Sequence, residues 1–184
     1  MTLCDWPLIA SKPVYDAGLF QVTRDRARSP RTGGERDFYV VHMVDWLLVV
    51  ALTTQGELVL VRQYRHGSRR MSLECPGGLH EESNEAVQAG AARELAEETG
   101  YGGGEFIWLG ALRPQPALLS NRLHIFLARG LHSIRSPTPD SGEDIEVELI
   151  EATKIGSRVA CGDIDNAMTI AALAMANQAG YLVG

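Results

Sequence analysis

Residues 84–101 read Asn84-Glu85-Ala86-Val87-Gln88-Ala89-Gly90-Ala91-Ala92-Arg93-Glu94-Leu95-Ala96-Glu97-Glu98-Thr99-Gly100-Tyr101. The density of Ala, Glu and Leu predicts a helix from Asn84 to Thr99. Ser83 or Asn84 suits its N-cap, and Gly100 suits the position just past its end. Each helical residue turns by about 100°, so Glu94 and Glu98 lie about 40° apart on one face, with Glu97 about 60° to the other side of Glu94. Three carboxylates therefore crowd one turn. Like charges at this spacing repel by about 0.2–0.5 kcal/mol per pair. They also stand near the helix C-terminus, where the dipole disfavours anions.

Two readings follow from the residues alone. In one, the helix shows water an acidic face, with Arg93 and Glu97 paired across a turn. In the other, the carboxylates hold a divalent metal. Oxygen donors without His or Cys select a hard cation, Mg²⁺ or Mn²⁺, which commonly couples carboxylates to substrate phosphates. Metal-bound water is then a ready nucleophile.

Outward from the helix, strands predominate. Leu19 to Thr23 and Asp37 to Met43 read as strands around a loop from Arg24 to Arg36, with Pro30 and Gly33-Gly34 as turn signals. The loop's arginines, Arg24, Arg26, Arg28, Arg31 and Arg36, suit a solvated tip, or one or two of them an anionic ligand or partner subunit. Trp46 to Thr53 and Glu57 to Gln63 form a hairpin across Thr54-Gln55-Gly56. Pro76-Gly77-Gly78 is a turn and Gly102-Gly103-Gly104 a flexible connection. Phe106 to Leu112, Leu123 to Leu131 and Glu146 to Glu151 complete the strands. A second helix is expected from Ile164 to Ala179, capped by Asp163 or Asp165. Strands and helices mix without strict alternation, so the expected fold class is α/β or α+β with a mixed sheet.

Composition narrows the partners. The chain has 184 residues, 45% hydrophobic and 22% charged, which excludes disorder as a description of the whole. A net charge of −6 argues against non-specific binding to nucleic acid or an anionic membrane. The run Trp46-Leu47-Leu48-Val49-Val50-Ala51-Leu52 is too short to span a bilayer. The N-terminus shows no secretory signal, and Cys4, Cys75 and Cys161 form neither a zinc spacing nor a disulfide framework. A cytoplasmic setting is expected. His42, His66, His80, His124 and His132 form no ligand-spaced cluster. Trp46, Tyr39 and Tyr64 suit stacking on a base, or packing. Cys75 suits a buried filler.

Gly78, Glu85 and Arg93 to Tyr101 resemble the Nudix box, G-x5-E-x7-R-E-U-x-E-E-x-G-U. Seven residues separate Glu85 from Arg93 as the pattern requires, while six rather than five separate Gly78 from Glu85. Val61-Arg62-Gln63-Tyr64-Arg65-His66 and Leu73-Glu74-Cys75-Pro76-Gly77-Gly78 are similar to the ADP-ribose pyrophosphatase branch. So are Glu143-Asp144-Ile145-Glu146-Val147 and Gly162 to Ala167. Asn121-Arg122 replaces an acidic residue found in many members.

The resemblance implies a Nudix-like α/β/α sandwich and a metal-dependent diphosphate hydrolase, acting on a nucleoside diphosphate sugar, first of all ADP-ribose. It implies Glu94 and Glu98 as metal ligands, with Glu97 a third ligand or a residue that holds one. The carbonyl of Gly77 would be a backbone ligand, and Arg93 would orient Glu97. Arg62, Arg65, Glu74 and Trp46 are the expected substrate contacts. Glu143 is the first choice of general base and Glu146 the second. The expected division is a strand region at 1–43, serving homodimerisation, and a hydrolase domain at 44–184. Another diphosphate substrate (a GDP- or UDP-sugar, a dinucleotide polyphosphate or a nucleoside triphosphate) and a non-enzymatic nucleotide-sugar sensor remain as alternatives.

Overall fold

A computed structural model of the chain describes residues 4–80, 84–139, 142 and 144–182. The chain divides into two compact units, Met1–Asp45 with Arg113–Arg122, and Trp46–Leu112 with Leu123–Gly184.

The first unit is built on an antiparallel sheet of β1 (Leu8–Asp16), β2 (Phe20–Arg28) and β3 (Glu35–Met43) in sequence order. Strands continue well into the expected arginine loop, leaving a turn at residues 29–34. Cross-strand pairs account for the difference. Arg26 Nε meets Asp37 Oδ1 at 2.8 Å, and Arg28 Nη2 meets Glu35 Oε1 at 2.9 Å. Strand β1 is a further addition. All nine of its residues are exposed, so it lacks the apolar alternation that announces a half-buried strand. Residues 118–122 line up along β3: Val41 donates to Leu118 O, Ser120 donates to Val41 O, and Asn121 Nδ2 donates to Val44 O.

The second unit carries a mixed sheet, seven-stranded among the described residues. Its main path runs β10 (Ile145–Glu151), β5 (Glu57–Arg65), β4 (Trp46–Thr53), β9 (Leu123–Ser133) and β7 (Tyr101–Gly102). Strand β6 (Arg70–Glu74) pairs with β5, and β8 (Glu105–Leu112) with β9. The β4–β9 pair is parallel, Trp46 opposite Leu123 and Ala51 opposite Ala128. Helices cover both faces: α1 (Val87–Thr99) on one, α2 (Ile155–Ala160) and α3 (Ala167–Gln178) on the other. Strand β4 explains how. Leu47, Val49 and Ala51 pack with Ala91 and Leu95 of α1. Leu48 and Val50 pack with Ala172, Leu173 and Ala176 of α3. A strand buried on both faces has to be apolar throughout, which is why this run lacks alternation. The expected α/β/α sandwich with a mixed sheet is the observed one.

Helix boundaries depart from expectation in detail. Helix α1 starts at Val87, three residues late. Its N-cap is the extended Ala86, which makes no side-chain cap bond. Ser83, one expected cap, lies outside the described residues. Gly100 ends the helix as expected, at φ 75° with its N–H on Ala96 O. Helix α3 is capped by Asn166, whose side chain accepts from Met168 N and Thr169 N. The expected caps, Asp163 and Asp165, are not used.

Candidate active site

Helix α1 seats tightly on β4. Gly90 is buried, and a Cβ there would press on Glu85 Oε2 and Leu47 Cδ1. Ala91 and Leu95 are fully buried beneath it. This seating turns Glu94 and Glu98 toward the segment Pro76-Gly77-Gly78, which runs beside β4 as a partial strand. Val49 N donates to Pro76 O at 2.9 Å, Leu47 N to Gly78 O at 2.9 Å, and Gly78 N to Leu47 O at 3.1 Å. The two glycines serve different neighbours. A Cβ on Gly77 would collide with the backbone carbonyl of Leu47, and one on Gly78 with the carboxylate of Glu94. Glycine at both positions lets a bare backbone lie between a strand and a helix's acids.

Glu98 is 3% exposed, and its Oε2 accepts the Gly77 N–H at 2.8 Å. Arg93 Nη1 reaches Glu94 Oε1 at 2.9 Å and Glu97 Oε2 at 2.8 Å, while its Nε reaches Glu85 Oε1 at 3.4 Å. Burial opposes the Arg93 charge, but Glu94, Glu85 and Glu97 outweigh it and raise its pKa. Glu85, Arg93, Glu94, Glu97 and Glu98 thus bring four negative charges to one positive. The end of the helix is laced down by the chain after β9. Ile134 N donates to Gly100 O, Arg135 Nε to Ala96 O, and Thr138 N to Glu97 O at 2.7 Å.

The other expected residues are distributed as follows. Arg65 makes a paired bond to Glu74, Nε to Oε1 at 3.0 Å and Nη2 to Oε2 at 2.9 Å. The Glu74 side chain is 3% exposed and that of Arg65 is 47% exposed, so Glu74 lies beneath the arginine. Burial works to raise the Glu74 pKa, but Arg65, Ser72 and Asn166 hold it below the usual range. Arg62 faces the opposite way, into the layer of α2 and α3. Its Nη2 bonds Glu148 at 2.9 Å and Asp163 at 3.1 Å, and Arg158 bonds the same two acids. The structure therefore joins Arg65 and Glu74, and turns Arg62 away from α1. Trp46 packs at the rim of the α3-side apolar layer. Glu143 lies outside the described residues. Glu146 is exposed on β10; alternation puts it with Glu148 and Ile150, opposite Val147, which packs on the α1 side. Cys75 is buried and its thiol is pushed up to about 12 by burial, fitting a filler.

The sequence reading missed Asn166 as the cap of α3, and it missed the grouping of Glu148, Arg158 and Asp163 around Arg62. A signal existed for Asn166, a strong N-cap residue directly before the helix. None existed for the grouping of the others on Arg62, which meets Glu148 and Asp163 across 86 and 101 positions of chain.

A NUDIX domain model matches residues 41–170. The chain is 30% identical to the ADP-ribose pyrophosphatase of Mycobacterium tuberculosis over 168 residues, 91% of this chain and 81% of that protein. It is 34% identical to the ADP-ribose pyrophosphatase of Bacillus subtilis over 105 residues, 57% of this chain and 56% of that one. The crystal structure of an ADP compounds hydrolase shares the fold, with a TM-score of 0.84 at 22% identity, over 97% of this chain and 95% of that chain. The chain belongs to the Nudix family and is a hydrolase of that family.

Nudix hydrolases are generally dependent on a divalent metal. The donor set here fits a hard divalent ion: carboxylate and backbone oxygens, an excess of acid, and a glycine whose missing Cβ makes room for Glu94. Among the described residues no three His, Cys, Asp or Glu side chains already stand grouped as metal ligands. In this arrangement Arg93 bonds Glu94 and Glu97. No helix among the described residues is long and apolar enough to cross a membrane.

Proposed function

We propose that this protein hydrolyses the diphosphate of a nucleoside diphosphate sugar, first of all ADP-ribose, to AMP and ribose 5-phosphate. The observation that carries the substrate is the 30% identity to a named ADP-ribose pyrophosphatase over 91% of the chain. The acid-rich cluster on Gly77-Gly78 supports the chemistry.

Glu94 and Glu98, with Glu97 and the Gly77 carbonyl, would hold Mg²⁺ or Mn²⁺. Held there, such an ion would supply Lewis-acid activation of water and compensation of the diphosphate charge. Arg93 holds Glu97 and Glu94 at the turn of helix that carries them. Arg65, gripped from behind by Glu74 with half its surface in solvent, offers a planar fork to phosphate oxygens. Glu143 is the proposed general base; the outward, α3-side position of Glu146 favours it over that alternative. The decisive assay measures phosphate-monoester release from ADP-ribose, GDP- and UDP-sugars and dinucleotide polyphosphates. Chelation should abolish turnover and Mg²⁺ or Mn²⁺ should restore it. An enzyme indifferent to chelator, or blind to ADP-ribose while active on another member of the panel, overturns the corresponding half.

We also propose a homodimer formed through the first unit. Leu8, Ile9, Val14 and Tyr15 are all exposed on an edge strand, and Leu19, Phe38 and Tyr39 are exposed beside them. Exposed apolar side chains in this number mark an interaction surface. Light scattering at micromolar protein should give twice the chain mass, and a monomer mass refutes the dimer.

A further inference from the structure

Helix α1 begins without help from a capping side chain, since Ala86 makes no side-chain cap bond. What fixes the chain just ahead of it is His80. The His80 Nε2 lies 2.9 Å from the carbonyl oxygen of Glu85, five positions on. A carbonyl only accepts, so Nε2 carries the proton. The preceding residue, Leu79, still pairs with Trp46, the first residue of β4. The bond therefore ties the approach to α1 to the sheet at the point where the chain leaves it. The His80 ring also lies against the helix: a Cβ on Gly90 would stand 3.4 Å from its Cδ2 and 2.8 Å from Glu85 Oε2.

The Glu85 side chain is 15% exposed and meets Arg93 at long range, Oε1 to Nε at 3.4 Å and Oε2 to Nη2 at 3.5 Å. Little distance is left before such contacts cease to be hydrogen bonds, so they depend on where the Glu85 backbone is held. Arg93 meanwhile spends Nη1 on Glu94 and Glu97. Six residues rather than five separate Gly78 from Glu85. A longer loop leaves its far end more places to be, and the His80 bond removes that freedom.

We propose that His80 is a positioning residue for the acid cluster: its ring N–H pins the Glu85 backbone, Glu85 fixes the Nε edge of Arg93, and Arg93 presents Nη1 to Glu94 and Glu97. This rests on the metal-site reading above, in which Glu94 and Glu97 are donors. A donor set held in place beforehand loses less freedom on binding than one that must assemble.

Two substitutions separate the bond from the packing. His80→Gln keeps an N–H donor at the reach of Nε2, and His80→Phe keeps a flat ring on Gly90 without one. His80→Phe should weaken Mn²⁺ binding to the substrate-free chain, read by electron paramagnetic resonance, about 3- to 10-fold, the range of one lost hydrogen bond, and His80→Gln should restore it to within about 2-fold. The Arg93 Nε–H signal in NMR should exchange faster in His80→Phe than in His80→Gln or the wild type. Turnover of ADP-ribose should lose kcat in the same proportion as Mn²⁺ affinity, with KM little changed. Unchanged Mn²⁺ affinity in His80→Phe overturns the proposal. So does an equal loss in both variants, which assigns His80 to packing alone. Should His80→Phe not fold, the wild-type chain decides: a slowly exchanging His80 Nε2–H signal must be visible, and its absence refutes the tie. A wild-type chain that binds no Mn²⁺ defeats the metal reading instead, and unchanged Arg93 exchange in His80→Phe then refutes the pin separately.

Discussion

The two faces of the large sheet carry charge in contrasting ways. On the α2–α3 face, Arg62, Glu148, Arg158 and Asp163 form a closed ring in which each acid meets both arginines. Two positive charges answer two negative ones. On the α1 face, Arg93 serves Glu85, Glu94 and Glu97, and Glu98 leans on a backbone N–H. The first set is complete as it stands and joins β5, β10, α2 and the approach to α3. The second is electrically unfinished. An acid-rich cluster at a helix C-terminus, against the dipole, is costly unless a cation compensates it, which is why it is the proposed metal site. Balance marks the structural cluster, and imbalance the one proposed to do chemistry.

The largest test of this contrast is on the unfinished side. Glu98→Gln should lower kcat about 10²-fold or more, about 2.7 kcal/mol of transition-state stabilisation, with the fold intact by circular dichroism. An unchanged kcat removes Glu98 from the proposed metal site. The ring should respond in the opposite way. Arg158→Ala and Arg62→Ala should each cost about 1–3 kcal/mol in urea unfolding, because partly buried acids lose a partner, while kcat stays within a few-fold. If Arg62→Ala instead raises KM steeply without loss of stability, Arg62 is the phosphate contact that its sequence context suggests, and the contrast breaks.

The adjacent glycines sharpen it within one face. Gly77→Ala drives a methyl into the Leu47 backbone and should cost about 1–3 kcal/mol of stability. Gly78→Ala meets first the carboxylate end of the Glu94 side chain, which can turn aside, so Tm should fall less than for Gly77→Ala while kcat falls about 10-fold as that carboxylate is displaced. Equal Tm losses for the two would contradict this division of labour.

The smallest effect is in pH. Burial opposes the Asp163 charge, but Arg158 and Arg62 overcome it and hold its pKa below the usual range. Its contribution to stability is therefore complete above the ordinary Asp value of about 4 and is lost as pH falls through the lowered one. Urea midpoints followed into acid should decline less steeply for Asp163→Asn than for the wild-type chain. Parallel declines would show that the ring does not titrate with the fold.

What the sequence reveals follows from the range of the interactions involved. Strand β4 announces itself because burial on both faces demands an unbroken apolar run. The end of α1 does so because a left-handed cap calls for Gly100. The box is legible because its residues act within a few turns of one another. Strand β1, by contrast, is exposed along its whole length and leaves no pattern. The six-residue loop before Glu85 obscures where α1 begins. Ahead of α3 the sequence holds three residues of capping type within four positions, Asp163, Asp165 and Asn166. Arginines on β5 and α2 take Asp163, so tertiary contact chooses among them. The ring is invisible for the same reason: its members are ordinary surface charges until the sheet brings them together.

The parallel pairing of β4 with β9 also has a consequence for how the chain matures. Trp46 lies beside Leu123, and β5, β6 and α1 are all encoded in the stretch of chain between them. Pairings this distant in sequence form late, since the entropy of closing the loop is spent before contacts repay it. During synthesis, the carboxylates of α1 have no finished sheet to lie on until residues 123–131 have left the ribosome. The lacing of Thr138 onto Glu97 comes later still. The proposed reactive centre is thus among the last parts of this unit to be assembled, and a chain cut short before β9 would carry the whole box without the platform that organises it.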